Sequence, residues 1–264
     1  MKPRDAIVAR PGGLSARDRQ ELLKEAGRLL PAPARRRFLG RGVTLGGLAM
    51  LTGCSVTDTQ TAETLLMAVS RFNDRVQAWL FDPNRLAPTY PESRITRPFP
   101  FNAYYEIEKV PVVQAEGFRL QVGGRVRERA SWSLEQLAAL AQQEQITRHI
   151  CVEGWSAIGR WGGVPFAHFL NLVGADLTAK YVGFKCADSY YESIDMPTAL
   201  HPQTILALTY DGRTLPPKYG FPMKLRMPTK LGYKNPKYVM AMEVTNTDKG
   251  GYWEDQGYNW FGGS

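Results

Sequence analysis

The chain has 264 residues, 44% of them hydrophobic, and 33 Lys+Arg against 25 Asp+Glu give a formal net charge of +8. Residues 1–41 hold eleven of the basic residues and four of the acids, a local +7, so residues 42–264 carry only +1 and no general nucleic-acid face is expected of them. Three cysteines, at 54, 151 and 186, exclude a disulfide-rich scaffold and any CxxC or CxxCH site.

The basic block ends in Arg35-Arg36-Arg37-Phe38-Leu39, and an uncharged, mostly apolar stretch, Gly42 to Thr52, runs up to Gly53-Cys54. This is the order of an export signal. As a helix the apolar stretch would reach about 16 Å, too short for a bilayer core of about 30 Å. Twin arginines followed by x-Phe-Leu resemble a Tat signal. Leu51-Thr52-Gly53-Cys54 resembles a bacterial lipobox, in which Cys54 becomes the lipid-modified N-terminus. Residues 1–53 are therefore expected to be a removed signal peptide, and the protein a periplasmic, membrane-anchored lipoprotein. The Tat route carries folded proteins, which suits a protein that takes up a cofactor before export. Ser15 to Leu30 has the composition of a further helix inside this long leader.

Ser55 to Thr64 reads as a polar tether, with a helix start among Thr57, Asp58 and Thr61. Leu65, Leu66, Val69, Phe72, Val76, Trp79 and Leu80 recur at helical spacing, and the stripe is expected to pack on the domain. Asp82-Pro83 ends the helix. Five prolines between 83 and 100 predict an irregular wrapping segment. Residues 54–97 are assigned to this tether and helix, and 98–264 to one domain.

Within the domain, Phe118 to Val122 alternates as a strand, with Gly123-Gly124 as a turn. Ser133 with Gln136 forms a capping box. Ile146 to Val152 is a second strand, Pro165 to Val173 a short helix, and Lys180 to Phe184 a strand. Thr204 to Tyr210, Met223 to Met227 and Tyr238 to Val244 complete the strands, with a turn at Asp211-Gly212. Short strands, Gly/Pro loops and few helices predict an α+β fold with a mixed, β-rich core.

Cys151 ends a strand and faces Gly154, Gly159, Gly162 and Gly163, read as a glycine-rich loop that would let a cofactor approach. From spacing alone it is equally a buried thiol, half of a disulfide with Cys186, or a nucleophile with His149, His168 or His201. Lys224, Arg226, Lys230, Lys234 and Lys237 crowd five cations into fourteen residues of a near-neutral domain. Glu153 is either a proton relay or an ion-pair partner of Arg148 or Arg160. The aromatic stretch Gly250 to Phe261 is expected to cover the core rather than rim a pocket.

His149-Ile-Cys151-Val-Glu153-Gly-Trp155 resembles the cofactor loop of the sulfite-oxidase-fold, molybdopterin-dependent oxidoreductases, and is similar to that of their methionine-sulfoxide reductase catalytic subunits. Phe101 to Glu106, Tyr181 to Cys186, Leu215 to Pro228 and Lys230 to Lys237 resemble further stretches of the family in the same order. The likeness covers about residues 98–264. It implies a molybdenum centre bound by one molybdopterin, with Cys151 as the one protein ligand to the metal. A thiolate is a strong donor to such a metal. The resemblance further implies that Asn102, Tyr105, Glu106, Cys186, Tyr219, Lys224, Asn235, Pro236 and Lys237 bind the cofactor; Glu153, two residues from Cys151, joins it as a catalytic candidate because a charged group beside such a metal can relay protons. Lys224 stands where the family has Arg, Cys186 where the reductases have Thr, and Tyr219 where they have Asn. Lysine keeps the charge for the cofactor phosphate but loses the bidentate fork.

The implied reaction is oxygen-atom transfer to or from a small molecule, with a separate cytochrome, such as a membrane b-type protein, as redox partner. Sulfite oxidases carry an Asn-Arg pair soon after the cysteine; here Glu153-Gly154-Trp155 follows. Reduction of an S- or N-oxide is therefore expected over sulfite oxidation. A non-catalytic exported binding module is the rival class.

Overall fold

The computed structural model describes residues 59–264, with side chains from 66. The expected signal peptide, Tat and lipobox motifs and leader helix lie outside the described residues. A compact unit runs from Thr64 to Ser264.

Helix α1, Thr59–Leu80, opens the described chain and stops just before Asp82-Pro83. Most of its apolar stripe does not pack on the domain, against expectation, with Val76 alone half-buried among the described side chains of the stripe. Val69, Phe72, Trp79 and Leu80 are exposed, and Trp79 keeps 82% of its surface. The helix is held by its polar side instead: Asp74 accepts from Phe261 N at 2.8 Å and Gln77 from Gly263 N at 3.3 Å. The wrapping segment is bonded into the domain rather than tethering it. Tyr90 N donates to Ile146 O and Thr96 N to Ile158 O.

Two five-stranded sheets follow. The first has the order β2-β1-β10-β5-β6, from β1 (Leu120–Gly124), β2 (Ser131–Trp132), β5 (Tyr181–Cys186), β6 (Tyr191–Asp195) and β10 (Val239–Thr245). In it β1 and β10 run parallel and the other pairs antiparallel, so the sheet is mixed as expected. The second is antiparallel, with β3 (Gln143–Ile150), β4 (Ser156–Pro165), β7 (Ile205–Tyr210) and β8 (Arg213–Thr214) in order and β9 (Lys224–Arg226) also on β7. Helix α2 (Leu134–Ala138) carries the expected capping box, Ser133 with Gln136. Helices α3 (Phe166–Leu172) and α4 (Met196–Ala199) are short.

Strand β4 is the main departure in the domain. The stretch read as a glycine-rich loop is a ten-residue strand. Its glycines are there for close packing. A Cβ on Gly163 would meet Leu206 O at 1.9 Å, and one on Gly162 would meet Thr209 Oγ1 at 2.4 Å. Strand β7 is covered on both faces. Leu206 and Leu208 join the main core, which also takes in Phe118, Phe166, Phe169 and Met242. Ile205 and Ala207 face a second cluster around Phe99, Trp161 and Tyr219. Period-two alternation splits these side chains between the layers.

Candidate functional site

One cavity gathers Cys151, Glu153, Asn102, Lys224, Asn235, Pro236 and Lys237. Strand β3 delivers Cys151. The strand ends at Ile150, and the chain turns back through Cys151 to Gly154, with Cys151 N bonded to Trp155 O at 2.9 Å. Gly154 has φ +92°, a conformation that favours glycine. The turn places the thiol at the tip of a rigid hairpin. Burial pushes its pKa up, the Glu153 backbone N–H pulls it back in part, and the Glu153 carboxylate adds to the rise. The sulfur lies 3.6 Å from Glu153 Oε2, which also accepts from Trp155 Nε1 at 2.8 Å. Arg160 pairs with Glu92 and Glu144, so Glu153 is not its partner.

His149 shares the Cys151 face of β3 and is fully buried. Burial, then the charges of Lys224, Arg226 and Lys237, hold it well below the ordinary histidine range, so the ring is neutral. Neither nitrogen bonds the thiol: Nε2 lies 3.5 Å from Asn102 Nδ2, and Nδ1 has no hydrogen-bond partner among the described residues. Cys151 and Cys186 are both free thiols.

The five cations divide. Lys224 sits on β9 with its ammonium over the Trp161 ring at 5.1 Å. It is buried, lines the cavity and makes no hydrogen bond or ion pair with any described residue. Burial, then Lys237 and Arg226, lower its pKa strongly. Lys237 lines the same cavity, donates to Asn102 O at 2.7 Å and is lowered to about 8 by burial. Arg226, lowered to about 9 by burial, braces the strand behind Cys151 by donating to Thr147 Oγ1 and Arg148 O. Its NH1 also reaches Asn235 Oδ1 at 3.3 Å, and Asn235 takes Met227 N at 2.7 Å. Lys230 and Lys234, expected in the same phosphate cluster, face elsewhere. Lys230 donates to Phe261 O. Lys234 is clamped between Glu192 and Glu254, each at 2.6 Å.

Four other expected residues lie beside the cavity rather than in its wall. Tyr105 donates to Asp188 Oδ2 at 2.9 Å and so ties the 102–105 segment down. Glu106 is exposed on the approach to that segment. Cys186 ends β5 against the main core, and burial, then Asp188 and Glu192, push its pKa far up. Tyr219 is in the second core cluster and spends its hydroxyl on Phe99 O.

The cavity also has an aromatic wall of Tyr104, Tyr190, Tyr233, Trp253 and Tyr258. Trp253 and Tyr258 belong to the segment expected only to cover the core, so that expectation is corrected. Tyr233 OH donates to Asn259 O at 2.6 Å and Tyr190 OH to Tyr233 O at 2.6 Å. These bonds draw the C-terminal segment over the cavity. Richness in Tyr and Trp was legible, but not which ring faces in.

The residues fit a molybdopterin group on their own chemistry. A buried ammonium with no counter-ion, Lys224, asks for an anion such as a phosphate. A thiol at the same cavity with backbone donors beside it offers a soft ligand for a metal.

The family described as the oxidoreductase molybdopterin binding domain matches residues 107–253. YedZ1 of Azospira oryzae, provisionally named a protein-methionine-sulfoxide reductase subunit, is 67% identical over 245 residues, 93% of this chain and 94% of that one. The protein-methionine-sulfoxide reductase catalytic subunit MsrP of Xanthomonas axonopodis is 31% identical over 59% of this chain and 56% of its own length. The crystal structure of the sulfane dehydrogenase SoxCD from Paracoccus pantotrophus superposes with a TM-score of 0.50 at 18% identity, over 53% of this chain and 41% of that one. At that identity the likeness is one of fold.

Proposed function

The chain belongs to the molybdopterin-binding oxidoreductase family, and from that premise we propose that it reduces an S- or N-oxide at the Cys151 cavity. For a sulfoxide, the S–O bond breaks, two protons and two electrons are taken up, and one thioether and one water leave. The electrons come one at a time from a separate cytochrome. The protein is exported by the Tat route and anchored through a lipid on Cys54. The carrying observation is the pairing of a Cys151 thiol with an unpartnered Lys224 ammonium in one cavity.

Cys151 would hold the metal through its sulfur, and Lys224 and Lys237 would hold the pterin's phosphate, with Asn235 and Pro236 in the cavity wall beside them. When bound, the centre supplies two-electron oxygen-atom exchange. The chain supplies the rest. Glu153 is exposed to water and reaches to 3.6 Å from the sulfur, so Oε2 can take up a proton at the cavity mouth and pass it inward, where the reduction consumes it. Trp155 Nε1 orients that carboxylate. Neutral His149 adds no charge beneath the thiol. The aromatic wall suits an apolar thioether or amine product and excludes water around it.

The MsrP and YedZ1 names favour a sulfoxide over sulfite. So does Glu153, whose negative charge beside the sulfur would repel sulfite. A reduced-dye assay on methionine sulfoxide and other oxides, set against sulfite oxidation, tests this. Oxide reduction is expected to dominate, and fast sulfite oxidation would contradict it. Glu153→Gln is expected to lower kcat by about 100-fold. An unchanged kcat would remove Glu153 from the proton path.

A further inference from the structure

Helix α1 exposes the wrong face for a helix that merely covers a domain. At 100° per residue, Val69, Phe72, Val76, Trp79 and Leu80 fall within a stripe about 100° wide. Asp74 and Gln77, which bind Phe261 N and Gly263 N, lie more than about 100° from the middle of that stripe. The polar edge therefore holds the domain and the apolar stripe points away. Phe72 is 63% exposed and Leu80 66%. Arg71 and Arg75 are exposed along one border of the stripe. Contiguous exposed apolar surface of this kind marks an interaction site.

We infer that this face lies on the surface of a phospholipid bilayer, with the helix axis in the membrane plane. The inference rests on the lipid-anchor reading of Cys54. Five peptide steps separate Cys54 from Thr59, a reach of at most about 18 Å. An acylated Cys54 thus holds the start of α1 close to the headgroups. The helix is about 33 Å long and is not apolar enough to cross a membrane. Lying flat is the arrangement that buries the stripe along its whole length. Trp79 and Phe72 suit the interface, and Arg71 and Arg75 suit anionic headgroups. The domain would then stand on the membrane in a fixed pose, beside any membrane-held electron donor.

The test uses mature protein from an exporting host on vesicles of phosphatidylcholine and phosphatidylglycerol with brominated acyl chains, at lipid excess. Tryptophan fluorescence is expected to be quenched, and the quench lost in Trp79→Phe. A second arm, Phe72→Ser/Trp79→Ser, is expected to weaken vesicle binding of non-acylated protein by about tenfold. Protein that floats with vesicles while Trp79 stays unquenched would overturn the inference. So would a photocrosslinker at position 79 that couples, in native membranes, to another protein. Intact mass reports acylation separately: a missing lipid overturns the anchor, and the quench still decides the face.

Discussion

Lys224 and Lys234 come from one stretch of chain, both are buried, and their surroundings are opposite. Lys234 has two carboxylates at 2.6 Å, Glu192 and Glu254, and accepts no outside partner. Lys224 has an indole face within reach and no carboxylate. A buried charge without a counter-ion is costly unless one arrives. Lys234 is therefore part of the fold, and Lys224 is left free for the anion proposed to bind in the cavity. Burial and the Glu254 charge push the Glu192 pKa far up, while the same two carboxylates raise Lys234 against its own burial. Two carboxylates are thus closed on one cation. Glu254 adjoins Trp253, so this clamp also fixes the aromatic wall.

The largest expected effect breaks the clamp. Lys234→Met leaves two buried acids and should cost about 3–5 kcal/mol in urea unfolding. Adding Glu254→Gln should recover part of that loss. A cost below about 1 kcal/mol would put Lys234 among the ligand-facing cations.

Lys224→Met should do the reverse. Cofactor-free protein should unfold no more easily, because an unpaired ammonium gives way to an apolar side chain. Pterin retention should fall by about 10- to 100-fold, the worth of a charge-assisted hydrogen bond of about 1.5–3 kcal/mol. Extracted pterin fluorescence reads the second quantity and urea unfolding the first. A large loss of stability with normal pterin would make Lys224 structural.

A smaller effect concerns Lys230, which burial lowers to about 7. Its folded value lies below its unfolded one, so between them the unfolded chain binds more protons and stability rises with pH. Cofactor-free protein should gain up to about 1.4 kcal/mol per pH unit from this group between roughly pH 7 and 9.5. Above that, buried tyrosines such as Tyr238, pushed up to about 12 by burial, turn the slope downward. Lys230→Met should remove close to one proton from the rising limb, and an unchanged slope would assign the pH dependence to other groups.

These contrasts mark what sequence carried. Five cations in fourteen residues were countable, but their pairing depends on Glu192 and Glu254, remote in chain and brought in by β6 and the C-terminal turn. Strands with alternating apolar residues were legible within about three residues, although Gly123-Gly124, expected as a turn, continue β1. Strand β4 was not, because glycine has little strand preference and its reason is the backbone packed against it at Leu206. The α1 stripe was legible as a period. Its direction was not, since Asp74 and Gln77 hold the domain through backbone donors far along the chain. Cys151 and its neighbours were found through a motif; the aromatic wall has no spacing of its own.

The central claim is that Cys151 and Lys224 frame a molybdopterin centre. The direct measurement is molybdenum and pterin content of protein purified from its exporting host, for the unaltered chain and for Cys151→Ser. About one molybdenum per chain is expected, lost in Cys151→Ser while circular dichroism shows the fold unchanged. Folded, unaltered protein without molybdenum, or full molybdenum in Cys151→Ser, would contradict it.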